Sequence, residues 1–256
     1  MLETILATKR QEIKLLGLPE AQEVHHYSLY DALKSAESSP FLTGLIAEVK
    51  KASPSKGIIR DDFNPVIIAK EYEKAGAQAI SVLTDQHFFQ GHRDFLRDIK
   101  QTVQIPVLRK DFIIDPMQIE ESARLGADAI LLIGEALEAK QLHEFYQMAE
   151  GFGMEALVEV HAGSTLQAIL NEFTPRIVGI NNRDLTTFET SLDQTDKISG
   201  RVPKDSLIVS ESGISYYEDI KQVREFGADA VLVGESLMKQ ESVKDGVSLL
   251  MGGVRP

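Results

Sequence analysis

A short phrase recurs along the chain, and this repeat constrains the fold more than any other feature of the sequence. Its clearest copies are LGADAILLIGE at residues 125–135 and FGADAVLVGE at residues 226–235, with a weaker copy at residues 75–84. Each copy joins a glycine of the kind that ends helices to an apolar run of strand length. The repeat therefore predicts the joint between a helix and a buried strand in an alternating α/β fold.

Five further short apolar runs are each followed by a polar turn and a helical pattern. Helix starts are indicated by Pro65, by Pro116 and by Ser215, which we predict to be an N-cap. Eight such units predict a closed (β/α)8 TIM barrel, because an open doubly wound sheet usually stops near six strands. The five runs cover residues 45–50, 106–110, 156–160, 177–181 and 207–211.

Residues 1–44 precede the first predicted strand and show helical periodicity, beginning with Leu2, Ile5 and Leu6. We expect an N-terminal helical extension there and the barrel over residues 45–256, forming a single domain. Two placements of the extension remain open at this point. Its helices could close the barrel floor, or they could fold over the mouth and help to enclose a substrate.

Composition excludes several kinds of partner and chemistry. The chain of 256 residues has a net charge of −12, which argues against nucleic acid or an anionic membrane as the main partner. A small anionic substrate is compatible with this charge only if the protein gathers cations locally. The chain has no cysteine, so disulfides and thiolate nucleophiles are excluded. The N-terminus does not resemble a signal peptide, and we expect a cytoplasmic protein that is a monomer.

Charged residues at the ends of apolar strands indicate a site, since barrel enzymes carry their chemistry at the carboxyl ends of the strands. Glu48 and Lys50 lie two residues apart and so share one face of the first strand. Lys51, Arg109 and Asp184 have the opposite parity or lie beyond the strand, and we interpret them as solvated strand ends. A ring of polar residues is predicted at Glu48, Lys50, Lys110, Glu159, Asn181, Arg183 and Glu211.

Glycines in the last two units add a phosphate hypothesis. Gly213 and Gly234 follow the seventh and eighth strands, where many barrels offer backbone N–H groups to a phosphate. Gly134 stands in a matching phrase after the fourth strand, where no phosphate is expected. No pair of histidines has ligand spacing on a strand end, and no glycine-rich nucleotide signature follows the first strand. We therefore predict neither a metal nor a nucleotide cofactor.

Residues 46–57, IAEVKKASPSKG, closely resemble the signature of the indole-3-glycerol phosphate synthase family. The resemblance continues through LRKDF at 108–112, LVEV at 157–160, GINNRDL at 179–185 and SESGI at 210–214, and so covers essentially the whole barrel. It implies closure of the indole ring of 1-(2-carboxyphenylamino)-1-deoxyribulose 5-phosphate with loss of carbon dioxide and water, in tryptophan biosynthesis. It also implies that no cofactor is needed.

The resemblance further implies roles for individual residues. Lys110 would be the general acid, Glu159 the general base and Lys50 a cation near the carboxylate or phosphate of the substrate. Glu48, Asn181, Arg183, Glu211 and Ser212 would position these groups. The phosphate would lie against Ser53, Gly213, Gly234 and Glu235, the last two through backbone amides. An apolar wall for the anthranilate ring would come from Leu83, Phe89, Leu131 and Leu185, which could equally be barrel packing.

One position departs from the family pattern, and two other functions compete with this one. His92 occupies a place where we expect serine, which puts in doubt only the local loop contact. The related phosphoribosylanthranilate isomerases share the architecture but rely on a cysteine base, which this chain lacks. A binding or scaffold barrel would tolerate loss of Lys110 or Glu159, and both are present.

Overall fold

A computed structural model describes residues 1–36, 43–184 and 189–253 of the protein. The strands, in chain order, are β1 (Gly44–Val49), β2 (Ala52–Ser53), β3 (Gly57–Ile58), β4 (Ala79–Leu83), β5 (Val107–Lys110), β6 (Ala129–Ile133), β7 (Glu155–Val160), β8 (Ile177–Asn181), β9 (Leu207–Glu211) and β10 (Ala230–Val233). The helices are α1 (Leu2–Ile13), α2 (Leu29–Ser35), α3 (Pro65–Lys74), α4 (Gln86–Phe89), α5 (Arg93–Lys100), α6 (Pro116–Arg124), α7 (Ala139–Gly151), α8 (Gly163–Leu170), α9 (Asp193–Ser199), α10 (Tyr217–Glu225), α11 (Glu235–Met238) and α12 (Val243–Leu250).

Eight of the strands close into a parallel barrel in the order β1, β4, β5, β6, β7, β8, β9 and β10, and β10 pairs back onto β1. This confirms the predicted TIM barrel and its eight strand positions. The antiparallel pair β2 and β3 was not predicted, because two-residue strands are too short to produce a periodic pattern. One apolar layer fills the barrel and a second lies between the barrel and its helices.

The helix starts agree with the predicted signals in two cases and differ in one. Pro65 and Pro116 each occupy the first turn of a helix, as predicted. The prediction that Ser215 is an N-cap was wrong by one residue, since the N-cap of α10 is Tyr216. The physical reason is Asp219, whose carboxylate accepts hydrogen bonds from the backbone N–H groups of both Ser215 and Tyr216 at 2.7 and 2.8 Å.

The repeated phrase is a joint at the barrel floor. Its first glycine takes a positive φ after the helix in all three copies, 93° at Gly76, 85° at Gly126 and 97° at Gly227. The polar residue two positions later accepts a hydrogen bond from a backbone N–H in the first two residues of a neighbouring strand. These bonds run from Leu45 to Gln78 at 2.7 Å, from Val107 to Asp128 at 2.8 Å and from Ile208 to Asp229 at 2.7 Å.

The two helices of the N-terminal extension lie at opposite ends of the barrel. Leu29 and Leu33 of α2 are fully buried and pack with the residues that fill the barrel. The backbone N–H of Tyr30 donates to Glu155, the first residue of β7, at 2.9 Å, which places α2 at the floor. Helix α1 instead lies at the mouth, where Leu2 contributes to the wall of the cavity. Each of the two placements left open by the sequence is therefore correct for one helix.

Candidate active site

A cavity of about 680 Å³ opens at the carboxyl ends of the strands. Every predicted site residue that the structure describes lines this cavity, whereas Leu185 lies outside the described residues. Five cations also line it, so a chain with a net charge of −12 does gather cations locally. The predicted residues in its wall are Glu48, Lys50, Ser53, Leu83, Phe89, Lys110, Leu131, Glu159, Asn181, Arg183, Glu211, Ser212, Gly213, Gly234 and Glu235.

Lys110 forms the centre of a buried cluster at the base of the cavity. Its ammonium lies 2.9 Å from Glu159 Oε2 and 2.7 Å from Glu211 Oε2. The Asn181 side-chain amide donates to the other Glu159 oxygen at 3.0 Å, and Asn181 Oδ1 accepts the backbone N–H of Arg183 at 3.0 Å. Four strand ends thus bring together one ammonium, two carboxylates and an amide.

The two carboxylates around Lys110 differ in proton affinity. Burial alone would raise the pKa of Glu159, but the charge of Lys110 and hydrogen bonds from Lys110 and Asn181 bring it below its usual range. Burial, together with the neighbouring charge of Glu159, raises the pKa of Glu211 to about 8 even though Lys110 opposes the shift. Burial would lower the pKa of Lys110, but Glu159, Glu211 and Glu48 raise it overall. The cluster thus places one carboxylate of lowered pKa and one of raised pKa against a single ammonium.

Two glycines make room for the carboxylates of the site. A Cβ at Gly179 would collide with the Glu211 carboxylate, and a Cβ at Gly234 would collide with that of Glu48. Glu48 Oε2 in turn lies 2.5 Å from the Lys50 ammonium, which confirms that the two side chains point the same way. Gly234 therefore has a packing role in addition to the phosphate role predicted from its position.

The loops after β9 and β10 have the features expected of an anion site. Ser212 and Gly213 both have positive φ, 67° and 82°, and for a serine this is a strained conformation of the kind that clusters at functional sites. Ser53 follows β1, the strand next to β10, and lines the same cavity. Its buried hydroxyl has no hydrogen-bond partner among the described residues, which makes it a candidate contact for a ligand.

The two copies of the Gly-Glu ending differ at this end of the barrel. Glu135, which follows Gly134, accepts hydrogen bonds from the backbone N–H groups of His161 and Ala162 at 2.8 and 3.0 Å, just before α8. Its carboxylate thus occupies the place where an anion could have bound. The carboxylate of Glu235, which follows Gly234, instead lies 2.6 Å from the ammonium of Lys239, the C-cap of α11. Only the second copy leaves its loop open to the cavity.

An apolar wall faces the charged cluster. Phe89 and Phe112 approach each other with ring centroids 6.1 Å apart, and Leu83 and Leu131 continue the wall. Sequence reasoning missed Phe112, although its place directly after the Lys110-Asp111 pair was a usable signal. It also missed the cations Lys56 and Lys239, which lie in a loop and on a helix beyond the strand ends, and the residues Met1, Leu2 and Ile5 of α1.

Arg109 corrects the prediction of a solvated strand end. The residue is only 4% exposed, and its guanidinium lies 2.8 Å from Glu121, 3.2 Å from Asp111 and within hydrogen-bond distance of Thr84 and Ser122. The parity argument correctly turned Arg109 away from the barrel interior. A side chain that points outward from a barrel strand, however, meets the helix layer rather than water.

His92, at the position where we expected serine, starts a helix. It is the N-cap of α5, and its Nδ1 accepts the backbone N–H of Asp94 at 3.1 Å. Serine is a preferred N-cap because its side-chain oxygen accepts a bond of this kind. The departure from the family pattern therefore preserves the helix start.

No group of three or more metal-binding side chains is placed to hold a metal ion within residues 1–36, 43–184 and 189–253. Within the same part of the chain, no helix is both long and apolar enough to cross a membrane.

Fold and site together define a (β/α)8-barrel enzyme with a buried acid–base cluster at its catalytic end. The family model described as indole-3-glycerol phosphate synthase matches residues 2–250, and the chain belongs to that family. Two curated relatives bear the same name. One from Geobacillus sp. (strain WCH70) is 63% identical, covering 96% of this chain and 95% of its own, and one from Priestia megaterium is 59% identical, covering 98% of each.

Solved structures with low sequence identity share the fold. An N-acetylmannosamine-6-phosphate 2-epimerase from Clostridium perfringens aligns with a TM-score of 0.61 at 16% identity, covering 84% of this chain and 93% of its own. A thiamine phosphate pyrophosphorylase from Pyrococcus furiosus aligns with a TM-score of 0.59 at 16% identity, covering 82% of this chain and 94% of its own.

Family membership makes the chain a carbon–carbon carboxy-lyase of tryptophan biosynthesis that forms indole-3-glycerol phosphate.

Proposed function

We propose that Lys110 and Glu159 are the acid and base of the indole ring closure that this family catalyses. Attack of the anthranilate ring carbon on the ribulose ketone builds negative charge on the ketone oxygen, and the Lys110 ammonium is suited to protonate it. Carbon dioxide is then lost, and the new hydroxyl takes up a second proton and leaves as water. Aromatisation also requires removal of a proton, which the ionised Glu159 can accept. The observation that carries this proposal is the placement of Lys110 between Glu159 and Glu211 at 2.9 and 2.7 Å.

The residues around this pair would fix its geometry. Asn181 holds one oxygen of Glu159, which leaves the carboxylate oriented toward Lys110. Glu211 keeps Lys110 from turning away, and Arg183 and Ser212 lie where the loops after β8 and β9 meet the cavity. We propose that these four residues are positioning or substrate-binding residues. Such support keeps the reacting groups close to attack geometry. A positioned acid or base typically raises the rate by a factor on the order of 10² to 10⁴.

Substrate anions would be held by the loops that follow the adjacent strands β1, β9 and β10. Lys50, partly neutralised by Glu48 at 2.5 Å, would contact the substrate carboxylate or phosphate. The phosphate itself would lie against the backbone of Gly213, Gly234 and Glu235, with the unpartnered Ser53 hydroxyl reaching it. The anthranilate ring would then lie against Phe89 and the rest of the apolar wall.

A crystal grown with phosphate or sulfate tests the anion assignment. We expect the anion against the backbone amides near Gly213 and Gly234, at the start of α11. An anion that binds only elsewhere would refute this part of the proposal, and the acid–base assignment would be unaffected.

A direct assay tests the proposed chemistry. Purified protein is mixed with 1-(2-carboxyphenylamino)-1-deoxyribulose 5-phosphate and the indole fluorescence of the product is followed, with no metal or nucleotide added. We expect turnover at the same rate before and after treatment with EDTA. Loss of turnover with EDTA that a divalent cation restores would contradict a mechanism carried by side chains alone.

We further propose that the chain works as a single domain and as a cytoplasmic monomer. Support for a single domain comes from the cavity, whose described wall draws on residues from Met1, before α1, to Gln240, after α11. Its substrate is a small phosphorylated anion, and neither nucleic acid nor a membrane has a part in this proposal. Sedimentation analysis at assay concentrations tests it, because activity confined to a dimeric species would contradict the monomer.

A further inference from the structure

A buried ion cluster joins the N-terminal helix to the catalytic end of the barrel. The Lys9 ammonium of α1 lies 2.8 Å from Asp85 Oδ2, 3.0 Å from Asp111 Oδ1 and 2.7 Å from Glu12 Oε2. Lys9, Asp85 and Asp111 are each at most 4% exposed. A buried lysine is costly unless it is paired, so these contacts require α1 to dock in one arrangement.

On the barrel side, the cluster includes Asp111, which follows Lys110 in sequence, and through it Arg109, which precedes Lys110. Asp111 accepts the Thr84 hydroxyl at 2.6 Å and the backbone N–H of Phe112 at 2.8 Å, and it pairs with Arg109 at 3.2 Å. Burial alone would raise the pKa of Asp111, but the charges of Lys9 and Arg109 lower it to about 2. The residues before and after Lys110 in sequence are therefore both held by buried ionic contacts.

Asp85 links the same lysine to the apolar wall. It is the N-cap of α4, and its Oδ1 accepts the backbone N–H of Phe88 at 2.8 Å. Helix α4 ends at Phe89, whose ring lines the cavity. One oxygen of Asp85 thus starts the helix that presents Phe89, while the other contacts Lys9.

Helix α1 completes the enclosure on this side. Met1, Leu2 and Ile5 line the cavity, and Lys9 follows Ile5 by four residues, one helical turn further along. A single ammonium therefore connects three pieces of the cavity: the first turn of α1, the helix that carries Phe89, and the strand end that carries Lys110.

We propose that Lys9 is a positioning residue for the ring-closure reaction, holding α1, Phe89 and Lys110 in register around the anthranilate half of the substrate. The inference rests on the proposed function, since it assigns that half of the cavity to the anthranilate ring. Lys9 does not line the cavity, so it acts only through these three elements. The ion pairs of Lys9 in the described part of the chain run to Glu12, Asp85 and Asp111, none of which belongs to the loops after β9 and β10.

The test compares Lys9→Met with Lys9→Arg, and uses Arg10→Met as a matched control. Arg10 lies on the same helix and is exposed, so its substitution removes the same charge without touching the cluster. We expect Lys9→Met to lower kcat/KM by about 10- to 100-fold, as for a small misplacement of reacting groups. In Lys9→Met the KM for the deoxyribulose substrate should also rise. Lys9→Arg should retain most of the activity of the parent enzyme, and Arg10→Met should have the same kinetics as the parent.

Binding measurements separate positioning from simple stabilisation. We expect Lys9→Met to weaken binding of indole-3-glycerol phosphate while leaving the affinity for inorganic phosphate unchanged, because phosphate alone contacts only the other side of the cavity. Parent-like kinetics in a folded Lys9→Met protein, even with a lower Tm, would overturn the inference. Equal weakening for both ligands would overturn it as well.

A milder variant covers the case in which Lys9→Met does not fold. Asp85→Asn keeps a side-chain oxygen for the cap of α4 and leaves the contact of Lys9 with Asp111. It should raise KM for the substrate in the same direction, and unchanged kinetics would count against the inference. Activity of the parent enzyme tests the family reaction separately, so the two failures are distinguishable.

Discussion

A buried lysine–carboxylate cluster lies at each end of strand β5, and the two clusters differ in how many of their carboxylate oxygens have hydrogen-bond partners. At the floor, the Lys100 ammonium lies 2.7 and 2.6 Å from the two oxygens of Asp128. The same carboxylate accepts the backbone N–H groups of Tyr27 at 2.9 Å and Val107 at 2.8 Å. At the mouth, Lys110 lies between Glu159 and Glu211, and Glu211 Oε1 has no hydrogen-bond partner among the described residues.

A buried ion pair by itself therefore does not identify a functional site. The floor cluster balances one cation with one anion, saturates the carboxylate and ties α5, the N-terminal extension and β5 together. The mouth cluster places two carboxylates against one ammonium, which raises the pKa of Glu211 to about 8 through burial and through the charge of Glu159. An unequal number of charges beside a cavity shifts pKa values and so suits the groups to proton transfer. A balanced and fully hydrogen-bonded pair instead has a structural role.

Within the cluster at the mouth, we expect a large loss of activity for Glu159→Gln. Glutamine keeps the volume and the hydrogen-bond acceptor but cannot take a proton at neutral pH. Overall turnover should fall by roughly 10²- to 10⁴-fold, while early ring closure remains comparatively intact and an intermediate accumulates. Rapid-quench analysis of a single turnover measures both steps.

Two outcomes at Glu159 would change the account. If the early and late steps slow together, and a Lys110 variant adds no further loss in the double mutant, Glu159 only holds Lys110 in place. Near-normal turnover would mean that Glu159 has no chemical role, and the base would have to be Glu48 or Glu211.

A smaller effect is expected at the cation that faces the substrate without donating a proton. Lys50→Ala should raise KM by about tenfold and lower kcat no more than that, since anion binding stabilises the ground state and the transition state alike. Steady-state kinetics of Lys50→Ala and Lys110→Met, measured together, check this division. A pattern in which Lys50→Ala lowers kcat and Lys110→Met raises only KM would reverse the assignment of the two lysines.

The smallest effect should be visible only in the pH profile. Because its pKa is raised to about 8, Glu211 holds a proton at neutral pH and releases it as the pH rises through that value. If the neutral acid is the competent form, kcat/KM falls by about tenfold per pH unit above pH 8. Glu211→Gln mimics the neutral acid, so this alkaline limb should disappear in the variant. A limb that is identical in parent and variant would assign it to another group.

The same contrast shows what sequence reasoning can reach. The repeat predicted the helix-to-strand joints, and polarity at strand ends predicted the cluster at the mouth, because each pattern is contained within a single βα unit. It misjudged Arg109, since parity states which side of a strand a residue takes but not whether helices cover that side. It also could not place α1 at the mouth, because the Lys9 contacts with Asp85 and Asp111 join segments that are far apart in sequence.

The most direct test of the account applies one substitution to both lysines of the two clusters. Lys110→Met should lower kcat by roughly 10²- to 10⁴-fold with substrate still bound and with the fold retained. Lys100→Met should leave Asp128 buried without its cation and lower the free energy of unfolding by about 3 kcal/mol, with kcat per folded molecule unchanged. Denaturant unfolding and active-site-normalised kinetics measure both quantities. Near-normal turnover in Lys110→Met, or an equal loss of turnover in folded Lys100→Met, would contradict the claim that only the cluster at the mouth performs chemistry.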